Sequence, residues 1–109
     1  MSGKAALIWC PFADEESARA VLGQLLDERL VACGNCLPGV SSLFNWDGAR
    51  GEGEEVGVLF KTTAALLDPA MTRLEALHPY EQAAITGWTV RAGEGTLRWL
   101  ESETGGTQG

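Results

Sequence analysis

The sequence predicts an α+β sandwich: an antiparallel sheet of four strands with two helices packed on one face, a long β-hairpin and a short C-terminal helix. Three observations predict it. Apolar runs of strand character alternate with helical stripes in the order β-α-β-β-α-β, with one more helix at the end. Asp47-Gly48, a strong two-residue turn signal, sits between two strand-like arms. The 109 residues leave room for one core, which makes 1–109 a single domain with its core over about 5–102.

The first strand is the continuous apolar run 5–10, and Pro11, which lacks an N–H, is expected to block its continuation. Asp14 caps a helix whose first turn carries Glu15 and Glu16, where unpaired N–H groups favour negative charge. Ala18, Val21, Leu22, Leu25, Leu26 and Leu30 form its apolar stripe and extend it over 15–32. Residues 33–47 read as extended, with Pro38-Gly39 as a bend or bulge and Val40, Ser42, Phe44 and Trp46 on one side. Val56, Val58 and Phe60 resume a strand, so that 40–62 is a hairpin with a polar, glycine-rich tip.

A second helix covers 64–77. Either Asp68 caps it with Pro69 in its first position, or it begins near Ala64 with a distorted turn. Pro79 stops it, 84–90 is the fourth strand, and Gly93 and Gly95 lead to a helix carrying Leu97, Trp99 and Leu100. Residues 105–109 are expected to fray. This order is the ferredoxin-like arrangement, which leaves one sheet face uncovered. Covering about 500 Å² of apolar surface there is worth roughly 12 kcal/mol before entropy and polar costs, and association with copies of the same chain supplies that cover.

Composition narrows the function. The net charge of −7 and only eight Lys plus Arg, with no basic cluster, argue against nucleic acid. The N-terminal apolar run is too short for a signal core, and no stretch is long enough to span a bilayer. Three cysteines cannot all pair in one chain, so a reducing, cytoplasmic setting is expected. Trp9, Trp46, Trp88 and Trp99 are many for so small a core, which suggests sharing between core and subunit interface.

Several segments, taken in order, carry a resemblance. Leu30-Val31-Ala32-Cys33 matches an L-A-A-C helix end. Residues 37–48 match P-G-x-x-S-x-Y-x-W-x-G, and Glu55 through Lys61-Thr62-Thr63 match E-x-x-x-x-x-K-T. His78-Pro79-Tyr80-Glu81 matches H-P-Y-E, and Leu97 and Trp99 fit Y-L-x-W. In these the chain resembles the CutA divalent-cation-tolerance family over about residues 5–102. The resemblance implies a homotrimer with strand pairing between subunits through the hairpin, and a role with copper or another divalent metal. The chain departs from the pattern at Phe44 (for tyrosine), Ala83-Ala84 (for Pro-Glu) and Thr96 (for tyrosine).

Cys10, Cys33 and His78 match positions that the family links to copper, and thiolate and imidazole are fitting donors for copper or zinc. The same residues read equally as two buried cysteines and a histidine bonded to backbone. Cys33-Gly34-Asn35-Cys36 is a C-x-x-C, but it follows a helix, and in a strand residues three apart point to opposite faces. Trp46, Glu55, Lys61, Tyr80 and Glu81 are candidates for an intersubunit cleft, with Lys61 expected to pair with Glu55, Glu81 or a neighbouring chain. Ser41 and Ser42 lack a nucleophile turn, His78 is the single histidine, and no reaction follows from Tyr80, Glu81 and Lys61, so the chain is not expected to be an enzyme. The alternative to metal response is a sensing or signalling trimer that holds a small molecule in an intersubunit groove.

Overall fold

The computed structural model describes residues 4–105; the expected fraying of 106–109 lies outside them. The elements are β1 (Ala5–Phe12), α1 (Glu15–Asp27), β2 (Cys33–Trp46), β3 (Ala49–Thr63), one 3-10 turn (Ala64–Leu66), α2 (Leu67–Leu77), β4 (Thr86–Val90) and α3 (Glu94–Glu103). The strands form one antiparallel sheet in the order β2-β3-β1-β4. With α1 and α2 on one face, this is the ferredoxin-like sandwich with a third helix added.

The period-2 alternation of β1 and β3 sends Ile8, Cys10, Phe12, Val58 and Phe60 toward the helices. There they meet Ala18, Val21 and Leu25 of α1 and Ala70 and Leu74 of α2. Shielding each Leu, Ile or Phe side chain in such a core contributes about 1.5–3 kcal/mol. Cys36 packs against the same cluster, so it is core filling on the helix side.

Four boundaries differ from the sequence reading, each for a local reason. β1 runs through Pro11 to Phe12. Proline is tolerated there because β4 pairs with β1 only as far as Trp9 opposite Thr86. Helix α1 starts as expected, with Asp14 accepting from the Ser17 N–H at 2.8 Å, but it stops at Asp27, not at 32. Arg29 turns left-handed (φ 59°), and the Leu30 and Arg29 N–H groups bond back to the Leu25 and Leu26 carbonyls at 3.0 Å, a Schellman ending without the usual glycine. The Arg29 guanidinium donates to the Ser102 and Gly105 carbonyls, and the Gly105 N–H returns a bond to the Arg29 carbonyl, so Gly105 is held and not frayed. Of the two starts weighed for the second helix, the distorted turn at Ala64 is the one found, with Pro69 already inside the first turn of α2. β4 begins at Thr86, two residues later than read.

Asp47 (φ 53°) and Gly48 (φ 81°) make the two-residue turn with both central residues left-handed, which matches the strand twist. A bulge between Leu37 and Val40, with Gly39 at φ 73°, inserts one extra residue into β2. That residue changes the parity of β2. Cys33, Asn35 and Leu37 pair with Lys61, Leu59 and Gly57, and beyond the bulge Val40 pairs with Glu55 and Phe44 with Gly51. Cys33 and Leu37 before the bulge and Val40, Phe44 and Trp46 beyond it therefore share the side away from the helices.

On that open side the register also places Leu7 beside Trp88 and Trp9 beside Leu59. Helix α3 covers one end of it, where Leu97 and Leu100 pack on Ala5 next to Ala32 and Val90. The rest stays exposed: Trp46 is 59% exposed, Phe44 47% and Trp88 44%. None of the four tryptophans belongs to the buried core. Neither edge strand, β2 or β4, carries a charged residue along its length, although Pro38 and the bulge interrupt the edge of β2.

Candidate functional site

Where β1 ends and the hairpin leaves the sheet, the segment following α2 folds back over the strands. Pro79 ends the helix, and His78 takes an extended backbone there. The His78 ring lies flat on Phe12, with centroids 4.2 Å apart, and Tyr80 meets its edge at 4.6 Å. The Tyr80 N–H donates to His78 Nδ1 at 3.1 Å, which leaves Nε2 as the protonated nitrogen, donating to the Pro11 carbonyl at 2.9 Å. Both ring nitrogens are thus engaged with backbone. The Tyr80 hydroxyl donates to Glu55 Oε2 at 2.8 Å. Loss of solvent, then that bond to Glu55, pushes the phenol up to about 12.

The cysteines are divided by the sheet. Cys10 is fully buried on the helix side, and burial, with Glu55 adding to it, pushes its thiol up to about 12. Cys33 pairs with Lys61, in one row with Leu7 beyond it, on the open side and is half-buried. Cys36 shares a row with Val58 and Cys10, which puts it two strand spacings from Cys10, about 9–10 Å. So the structure does not bring Cys10, Cys33 and His78 to one point. Among the described residues no group of three or more His, Cys, Asp or Glu is placed to hold a metal ion.

The cleft candidates divide similarly. Trp46, Glu55 and Tyr80 come together around a groove of about 670 Å³ between the hairpin arm and the 80–84 segment. Glu81 is exposed beside it, and Lys61 lies six residues along β3 from Glu55. Within one chain Glu55 takes Tyr80 as its partner, and among the described residues the ion pairs are Arg19–Glu15, Arg73–Glu28 and Arg98–Glu94, none involving Lys61. Sequence reading missed Phe12 and the Pro11 carbonyl as partners of His78. They are more than sixty residues away along the chain, and no local signal marks them.

A family model described as the CutA1 divalent ion tolerance protein matches residues 6–103. The chain belongs to the CutA1 divalent ion tolerance family. The divalent-cation tolerance protein CutA of Thermus thermophilus is 38% identical over 92 residues, covering 84% of this chain and 89% of that protein. Its counterpart from Pyrococcus horikoshii is 38% identical over 99 residues, covering 90% and 96%. The crystal structure of CutA from Xylella fastidiosa superposes with a TM-score of 0.88 at 35% identity, covering 94% of this chain and 99% of that one. As a member of the CutA1 family the chain is not an enzyme.

The CutA1 family name raises the question of a metal, and the residues answer it for a single chain. A buried thiol held protonated, a histidine with both nitrogens committed, and a second thiol across the sheet do not fit one ion. Among the described residues no helix is long and apolar enough to cross a membrane.

Proposed function

We propose that the chain acts in divalent-cation tolerance as a cytoplasmic homotrimer, and that copper or another divalent metal meets it at groups assembled from several copies. The observation that carries this reading is the open side of the sheet: an apolar surface that runs from Trp9 and Trp88 to Phe44 and Trp46, interrupted by Glu55 and Ser42 and bounded by two uncharged edges. An edge of β2 on one copy and an edge of β4 on the next are different surfaces, and a head-to-tail contact of that kind makes a closed ring when its rotation is a third of a turn. Three unpaired cysteines suit a reducing compartment.

Of the three thiol and imidazole candidates, Cys33 is the one that faces this surface, where neighbouring copies supply further donors. Copper retained after exhaustive dialysis, measured per chain by elemental analysis, is expected to fall at least fivefold in Cys33→Ser with the oligomer mass unchanged. Equal copper in both proteins would remove Cys33 from the metal reading and leave the assembly reading standing.

A second reading is favoured by a separate observation. The groove beside Trp46, Glu55 and Tyr80 has the volume of a small-molecule site, which supports a trimer that senses a ligand between subunits.

A further inference from the structure

We infer that the groove between the hairpin arm and the 80–84 segment binds an organic cation, an ammonium group carried on a flat apolar body. The inference rests on the second reading above and gives its ligand a chemical class. The groove has aromatic walls: Phe44 and Trp46 stand on the hairpin side, and Tyr80 on the other. Phe44 is held in place because its ring lies across Gly51, where a β-carbon would collide with it. Ala83 and Ala84 keep the facing segment small and apolar.

The charge in this groove has one sign. Glu55 is the single ionisable carboxyl among its lining residues, and no lysine, arginine or histidine lines it. Tyr80 donates to Oε2 of Glu55 and stays neutral, so it orients the carboxylate without neutralising it. Oε1 accepts no side-chain hydrogen bond among the described residues. A half-buried carboxylate in a groove lined by three aromatic residues attracts a cation through its charge, and a ring whose face meets the cation adds to that attraction. An anion would meet Glu55 and a chain of net charge −7. A neutral apolar molecule would use the rings and leave Oε1 of Glu55 without a side-chain partner. A compact hydrated metal ion would use Glu55 and gain little from the rings.

The test compares two probes of nearly the same shape, 2-phenylethylammonium and 2-phenylethanol. Each is titrated into the assembled full-length protein by calorimetry and by tryptophan fluorescence, with the mass of the particle measured in the same buffer. The ammonium is expected to bind at least tenfold more tightly than the alcohol. Glu55→Gln, which preserves an acceptor for Tyr80, is expected to abolish that preference. Trp46→Leu is expected to weaken the ammonium about fivefold while the alcohol changes less. Equal affinity for the two probes overturns the inference. So does the absence of binding at millimolar concentration, the result expected if a neighbouring copy fills the groove or brings its Lys61 to Glu55. A trimer mass in those experiments leaves the assembly reading intact, and a monomer mass counts against that reading separately.

Discussion

Replacing Gly57 with valine is expected to destabilise the folded protein by about 3 kcal/mol, at the upper end of what overpacking costs. On strand propensity alone the substitution should help, because valine suits a strand better than glycine by up to about 1 kcal/mol. The neighbour decides the sign. Gly57 is buried on the open side, and the Trp9 ring crosses directly above it, so that a β-carbon there would run into the indole. Trp9 must then leave the surface on which Leu59 lies beside it. Urea midpoints at one fixed protein concentration measure the loss, since an assembling protein has a concentration-dependent stability. In a Trp9→Ala background the same valine should be neutral or stabilising. An unchanged midpoint in the original background would contradict the packing described for Trp9.

A second large effect is expected in alkali. The Cys10 thiol rises from its ordinary 9.0 to about 12, because the buried thiolate would lack solvent and would face Glu55. The folded protein therefore holds this proton more tightly than the unfolded chain. The stabilisation is complete below pH 9 and is lost as the pH rises through 12, at a full value on the order of 4 kcal/mol. Tyr80 acts in the same direction above pH 10, by less, because its hydroxyl is only partly shielded. Denaturant midpoints at pH 8.5 and pH 11 should differ by on the order of 3 kcal/mol from the thiol, and Cys10→Ala should remove most of that difference. A variant that loses stability with pH as steeply as the original would show that Cys10 is not the group responsible.

How much was legible follows from how local each cause is. The stripe Ala18-Val21-Leu25 and the cap at Asp14 declare α1, and Asp47-Gly48 declares the turn, because each cause lies within a few residues of its effect. The end of α1 was not legible. A glycine usually marks a left-handed cap, and here Arg29 takes that conformation with its guanidinium tied to carbonyls at the far end of the chain. That Cys33 and Cys36 point to opposite faces follows from strand parity. Which of them turns inward depends on the register of β2 on β3, fixed by pairings such as Cys36 with Val58. The surroundings of His78 were hidden for the same reason, since Phe12 and Pro11 reach it only through the folded sheet. The departures at Phe44 and at Ala83-Ala84 could be read from the sequence, but not that both line one groove.

Sedimentation equilibrium at micromolar concentration is the most direct measurement of the account as a whole. Tryptophans 9, 46 and 88 on one side of the sheet, with uncharged edges at β2 and β4, call for association, and the homotrimer proposed above gives particles of three times the 11.6 kDa chain mass. A folded 11.6 kDa particle that stays soluble on dilution, with Phe44 and Trp46 fully open to water, would contradict it.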